Sequence, residues 1–385
     1  MSHPVWDELL GQPEAIEQLQ KAVAGKPDSV HHAWLFTGPA GSGRSNLAKS
    51  FAAALECAED GCGHCQQCRL VQADAHPDVS MLVTDRVVIS IEEVRDLVSR
   101  SSMSTTIGDY RVIIIEDADR MAERTSNVLL KALEEPAEKV VWILCAPSVS
   151  DLLPTIRSRT RNVNLRLPSI DEVATLLVQR DGVALDVARK SALLAQNHVG
   201  MARRLALSSD ARSRRSETLR VLMSISNLSS AMVAAEKLLG VAKRDAEASS
   251  AEKDAVEKDA LMKAYGLAAD EKLPPNLRSQ FKELEENQKR RATRALRDGI
   301  DRIFTDAESI YRDLMALQLG AEVELVNTEI ESELLQRSQG TSIEQTIAIL
   351  DAITQSRQRL ASNVRDLLVL EALCTNFIFR GPLAA

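Results

Sequence analysis

The chain has 385 residues, 45% of them hydrophobic and 26% charged, with a formal net charge of -8. That length accommodates two or three domains with substantial cores. The acidic balance argues against broad non-specific DNA binding by the chain alone, and an aromatic content of 3% excludes a base-stacking surface for single strands. No stretch reaches transmembrane length, and Met1-Ser2-His3-Pro4-Val5-Trp6 is not a signal peptide, so a cytoplasmic chain without a membrane partner is expected. Six cysteines in a reducing compartment point away from a disulfide framework.

Gly11-Gln12-Pro13 opens a helical pattern that places Ile16, Leu19 and Val23 on one face. The apolar strand Ala33 to Thr37 then runs into Gly38-Pro-Ala-Gly41-Ser-Gly43-Arg44-Ser45-Asn46, and a helix continues to about Leu55. This is the phosphate-loop pattern, with Arg44 where the lysine stands. Its glycines let backbone N–H groups converge on phosphate oxygens, and the helix N-terminus adds its positive dipole end. Arginine keeps the charge but is a longer, planar fork, so nucleotide binding is expected without efficient hydrolysis.

Next comes Cys57-Ala-Glu-Asp-Gly-Cys62-Gly-His-Cys65-Gln-Gln-Cys68. Two residues between thiols let both sulfurs of a tight turn face one centre. Four thiolates close a tetrahedral zinc site with no open position, hence a structural one. An iron–sulfur cluster also takes four thiolates and ranks below zinc, because nothing else in the chain suggests redox work.

Val79 to Thr84 suits a second strand, and Ile89 to Ser101 a helix with Ile91, Val94 and Val98 on one face. Arg111 to Glu116 is a continuous, β-branched buried-strand pattern ending in Glu116-Asp117-Ala118-Asp119. A carboxylate at such a strand end can hold the Mg²⁺ of a bound nucleotide, with a second one orienting water. The usual order is Asp then Glu, and here it is reversed. A capped turn after a core strand explains the same residues almost as well. Asn127 to Pro136 is an amphipathic helix ended by proline, Val140 to Cys145 another buried strand, and Asn162 to Leu167 a last short one. Alternating strands and helices predict a mainly parallel sheet covered on both faces.

From Pro168 the pattern is helical only. Ser208 to Ser216 is polar and reads as a linker. About residues 241–300 form a charge-dense helical hairpin interrupted by Pro274-Pro275. Arg290, Arg294 and Arg297 share one helical face there, suited to phosphate or, more simply, to solvent. Leu367 to Phe379 is apolar enough to pack in a bundle or against a partner.

The GPAGSGRS loop, the cysteine cluster after its helix, NVLLKALEEP (Asn127 to Pro136) and LLPTIRSRT (Leu152 to Thr160) resemble, in kind and order, the bacterial replication clamp loader family, and within it the delta-prime subunits of DNA polymerase III. The specific motifs cover roughly the first 205 residues. The resemblance implies an AAA+ module: an α/β nucleotide-binding-like domain over 1–167 with its zinc insert at 57–68, a helical lid over 168–207, and an all-α collar over 208–385. It implies gamma/tau and delta subunits as partners in a pentamer that places the sliding clamp on primed DNA with ATP. The implied nucleotide contacts are Gly38, Gly41, Gly43, Arg44, Ser45, Asn46, Glu116, Asp117 and Arg203, the last resembling the family's second sensor arginine. Implied zinc ligands are Cys57, Cys62, Cys65 and Cys68. Arg159 matches the family's Ser-Arg-Cys motif, with Thr160 in the cysteine's place, and by resemblance acts in trans as an arginine finger.

Arg44, the order Glu116-Asp117, the strand end Cys145-Ala146-Pro147 and the lack of a long extension point away from the gamma/tau motors and towards a stator. ATP or ADP with Mg²⁺ is then a weakly bound ligand with negligible turnover. An active gamma/tau-like ATPase motor is the alternative, and a zinc-dependent nucleic-acid-binding module is a remote third.

Overall fold

In the computed structural model of the chain, residues 4–7, 9–26, 30–84, 86–264 and 278–378 are described. The chain divides into two compact units, Met1–Thr84 with Val88–Leu207, and Asp85–Val87 with Ser208–Ala385.

In the first unit, helix α1 (Pro13–Ala24) is followed by strand β1 (Ala33–Thr37), helix α2 (Arg44–Glu56), the short helix α3 (Gln66–Gln72), strand β2 (Val79–Leu82) and helix α4 (Ile91–Ser101). Strand β3 (Arg111–Ile115), helix α5 (Glu123–Glu134), strand β4 (Val140–Ala146), the one-turn helix α6 (Pro154–Arg157) and strand β5 (Arg161–Asn164) complete the α/β part. All pairings are parallel, in the order β2-β3-β4-β1-β5. Parallel strands need covered faces, and side-chain alternation supplies two cores. Trp34, Phe36, Val112, Ile114, Val141 and Ile143 pack with Leu19, Leu47 and Phe51 of α1 and α2. Ala33, Leu35, Ile113, Ile115, Trp142 and Leu144 pack with Val94, Leu97, Leu129 and Leu133 of α4 and α5. A capping box fixes the start of α4: Ser90 accepts from the Glu93 N–H, and Glu93 accepts from the Ser90 N–H. Three helices, α7 (Ile170–Asp181), α8 (Leu185–Leu194) and α9 (Val199–Leu207), close the unit.

Among the described residues, the regular structure of the second unit is helical: α10 (Ser209–Met223), α11 (Leu228–Ala264), α12 (Arg278–Leu319), α13 (Glu331–Gly340), α14 (Ile343–Ala361) and α15 (Asp366–Asn376). Its core gathers Leu222, Leu238, Phe304, Leu314, Ile353 and Leu370, and Tyr311 stacks on Phe377 at 5.3 Å between centroids. The apolar segment from Leu367 thus packs inside its own bundle. The polar stretch 208–216, expected as a linker, is instead the first half of α10. Ala211, Thr218, Leu219 and Leu222 give that helix a buried stripe, and Arg215, only 7% exposed, is neutralised by acids far along the chain. Its Nε lies 3.1 Å from Asp306, its Nη1 donates to Glu329 at 3.1 Å, and its Nη2 donates to Asn327 at 2.6 Å. The expected hairpin has both long helices, and its Pro274-Pro275 turn lies outside the described residues. Arg290, Arg294 and Arg297 face carboxylates of their own unit, Glu286, Asp298 and Asp366, each at 3.9 Å; Arg290 is exposed, whereas Arg294 and Arg297 are largely buried and so do not form the solvated face expected of them.

Candidate functional site

The phosphate loop leaves the C-terminal end of β1, a central strand of the sheet, where open parallel sheets place their ligands. Gly41 (φ +83°) and Gly43 (φ +90°) take left-handed conformations that side chains disfavour, and Gly43 caps α2. The side chain of Gln12 ties the loop to the end of β5, donating to the carbonyls of Ser42 at 3.1 Å and Arg166 at 2.6 Å. Ser45 and Asn46 lie in the first turn of α2. The sequence motif is therefore built.

Its cation, however, is turned inward. Arg44 Nη1 donates to the carbonyl of Gly38 at 2.7 Å, inside the loop itself, and Nη2 stands 4.0 Å from Asp117. Asp117 adopts a left-handed conformation (φ +48°) immediately after β3 and also meets Arg120 at 3.4 Å. The neighbouring Asp119 has one carboxylate oxygen buried without a hydrogen-bond partner, and burial, with Asp117 adding to it, raises its pKa. Glu116 Nα donates to the Leu82 carbonyl, continuing the β2–β3 ladder. The two groups of metal-capable side chains found among the described residues both lie at the cysteine turn, so these carboxylates have not gathered into a cation cage of their own.

The helices after β5 approach the loop at His198, a contact that the sequence does not announce. A Cβ on Gly41 would lie 2.5 Å from His198 Cγ and 2.7 Å from His198 Cα. His198 is set there by the turn between α8 and α9, whose Gln196 and Asn197 both have positive φ. Arg203, singled out from the sequence, pairs instead with Asp181 at the end of α7, at 2.8 Å.

The cysteine turn follows α2. Cys57, Cys62, Cys65 and Cys68 bring their sulfurs within 4.8 Å of one another. Cys57 and Cys62 sulfurs are 3.6 Å apart, and Cys57 and Cys65 sulfurs 3.8 Å. A tetrahedron with metal–sulfur bonds of about 2.3 Å has sulfur–sulfur edges of about 3.8 Å, so the four thiols fit a zinc-sized ion. Backbone N–H groups point at the same sulfurs at 3.4 Å: Glu59 and Cys62 to Cys57, Cys65 to Cys62, and Cys68 to Cys65. Such donors stabilise thiolates before any ion arrives. These four residues could hold a metal such as zinc, which would cross-link the end of α2 to α3. A buried carboxylate braces the adjoining segment. Asp78, fully buried, accepts from the N–H groups of Thr106, Ile107 and Gly108 at 2.8–2.9 Å and pairs with Arg111 at 2.9 Å. Gln67 of α3 donates to the Ile107 carbonyl at 3.0 Å, joining the cysteine helix to that brace.

Arg159 follows α6 and is one-third exposed. Nη1 donates to the Thr155 carbonyl at 2.7 Å and to Ser158 Oγ at 3.1 Å, while Nη2 meets Glu134 at 2.6 Å. Glu134 ends α5, the helix of the NVLLKALEEP string. Sequence reasoning singled out Arg159 and missed Glu134, His198, Gln12 and Asp78. The motif string contains Glu134, but no periodicity announces which residue it will meet.

A parallel sheet in this order, with the phosphate-loop motif following β1 and three further helices after β5, defines an α/β unit, followed by an all-α unit. Comparison with known proteins is more specific. Residues 11–169 match the family described as DNA polymerase III, delta subunit. The delta-prime subunit of DNA polymerase III from Pseudomonas aeruginosa is 37% identical over 165 residues, which cover 40% of this chain and 50% of that protein. The gamma/tau subunit from Mycobacterium tuberculosis is 31% identical over 190 residues, covering 47% of this chain and 32% of its own length. The chain thus spans half or less of these two relatives. A solved gamma-subunit-related protein from Thermotoga maritima aligns over 94% of this chain and 98% of its own, with 17% identity and a TM-score of 0.42. Over this stretch the chain is similar to both delta-prime and gamma/tau subunits of DNA polymerase III. No helix among the described residues is long and apolar enough to cross a membrane.

Proposed function

We propose that the chain is a delta-prime-type subunit of a bacterial DNA polymerase III clamp loader, working in the cytoplasm with gamma/tau and delta subunits to place the sliding clamp on primed DNA. In this reading it is a stator. It contributes Arg159 to the nucleotide site of a neighbouring motor and is itself a poor ATPase. The observation that carries the stator assignment is Arg44, whose guanidinium is bonded to the carbonyl of Gly38 in its own loop. A motor's lysine instead reaches outward to the β- and γ-phosphates. The Gly41–His198 contact reinforces this, because nucleotide entry requires that side of the loop to open.

Gly38, Gly43, Ser45 and Asn46 are the groups we assign to phosphate, joined by Gly41 once His198 moves aside, by Glu116, and by Arg44, Asp117 and Arg203 once they leave their present partners. Nucleotide is then a weak structural ligand that stabilises the domain by mass action. Zinc is the ion we assign to Cys57, Cys62, Cys65 and Cys68, in a closed structural site.

The test is ATP hydrolysis by a reconstituted loader, stimulated by DNA and clamp. Arg159→Ala should lower the assembly's rate by about 10³-fold or more at the site it completes, as loss of an arginine finger does elsewhere. The isolated chain should show no turnover. A second reading, an active motor, draws on the match to gamma/tau over 190 residues. Turnover by the isolated chain, with Arg159→Ala silent in the assembly, would establish that reading instead.

A further inference from the structure

We propose that Glu134 is a positioning residue that holds Arg159 folded back on its own subunit, so that the finger extends only when a competing phosphate is presented. The proposal rests on the trans role of Arg159 given above. The guanidinium is held at three points: by Glu134 at 2.6 Å, the Thr155 carbonyl at 2.7 Å and Ser158 Oγ at 3.1 Å. Two local features keep the pair together. Pro136 terminates α5 just past Glu134, and Pro154 opens the single turn of α6 that presents Arg159. The carboxylate is therefore delivered by the end of one helix and the guanidinium by the end of another, each fixed by a proline.

The strength of the hold is what makes it a gate. Glu134 is 48% exposed and Arg159 34% exposed, so water screens their attraction and the pair is weak. A nucleotide's phosphates offer several charged oxygens, two of which the planar guanidinium can engage at once, and they outcompete one carboxylate. Once Arg159 leaves, Glu134 remains as an uncompensated negative charge beside the approaching phosphates. Glu134 thus opposes extension twice, by attraction before it and by repulsion after it. Engagement is set by how closely the neighbour's nucleotide is brought to this surface, which couples the finger to closure of the interface.

The experiment compares the full loader carrying this chain unchanged, Glu134→Gln, Arg159→Ala and the double variant. It measures ATP hydrolysis without DNA or clamp, then with both. Glutamine keeps a hydrogen-bond acceptor and removes the charge. Glu134→Gln is expected to raise the unstimulated rate by about two- to fivefold, the range an exposed ion pair commands. It should leave the stimulated rate nearly unchanged, so the ratio between the two narrows. In the Arg159→Ala background the same change should do nothing. A merely structural role for Glu134 would shift thermal stability and leave that ratio alone. An unchanged or lower unstimulated rate in Glu134→Gln, with Arg159→Ala still strongly impaired, overturns the proposal and spares the finger. An Arg159→Ala loader that hydrolyses ATP normally overturns the finger and the gate together.

Discussion

Two loops flank helix α2, and they are in opposite states. The cysteine turn at its C-terminal end has its donors assembled: four sulfurs face one centre, with backbone N–H groups already directed at them. The phosphate loop at its N-terminal end has left-handed glycines in place, but the guanidinium of Arg44 is bonded to the loop's own Gly38 carbonyl, and His198 sits against Gly41. Both motifs are equally visible as strings of residues. They differ in whether the side chains are turned towards a ligand or towards the protein. In one chain, then, two motifs equally plain in sequence can differ in whether their side chains are assembled for a ligand.

If the four cysteines hold zinc as proposed, removing it should have the largest effect, because a closed thiolate site contributes binding energy directly to folding. Cys68→Ala, or exhaustive chelation, is expected to release one zinc per chain and to destabilise the first unit by several kcal/mol, read by metal analysis and thermal unfolding. Unaltered stability would mean that the turn is held by its hydrogen bonds alone and that its resemblance to the phosphate loop is closer than described. Asp78→Asn sharpens the same point, since Asp78 braces the segment that Gln67 joins to the cysteine helix. It should cost about 3 kcal/mol, the loss expected when one partner of a buried ion pair is removed. Burial works to raise the Asp78 pKa, but three backbone N–H donors and Arg111 outweigh it, and the pKa lies below the usual carboxylate value. The stability it confers is therefore present above the unfolded-state pKa near 4 and is lost as pH falls through the lower folded value. Acid unfolding of the unchanged protein should carry that step, and Asp78→Asn should lack it.

The smallest change concerns the other loop. Arg44→Lys removes the fork that reaches the Gly38 carbonyl and should tighten ATP binding by about tenfold in calorimetry. Unchanged affinity would place the obstruction at His198 and Gly41 instead.

The sequence made the sheet largely legible, because buried parallel strands are continuous β-branched runs and the phosphate loop punctuates the first of them. Arg111 to Ile115 and Ala33 to Thr37 needed no tertiary information. The cysteine site was equally plain, since its ligands are close in sequence and their spacing encodes the turn. What stayed hidden depends on pairs far apart in the chain. Residues 208–216 looked solvated because serines and arginines usually are. Arg215 is buried because Asp306, Asn327 and Glu329 return to meet it. Glu134 and His198 raise the same difficulty within the first unit: nothing local to either residue points to Arg159 or to Gly41.

That long-range pairing of Arg215 sets an order of events while the chain is being made. The last strand of the sheet ends at Asn164, so the first unit has all its strands before the helical unit begins at Ser208. Arg215 emerges soon afterwards, but Asn327, its partner at 2.6 Å, lies 112 residues further on. At translation rates of about 5–20 residues per second, the arginine waits roughly 6–20 seconds for that partner. The nascent chain thus carries a finished α/β module for many seconds before the helical bundle can close, and a chaperone or a partner subunit arriving in that interval would meet the first unit alone.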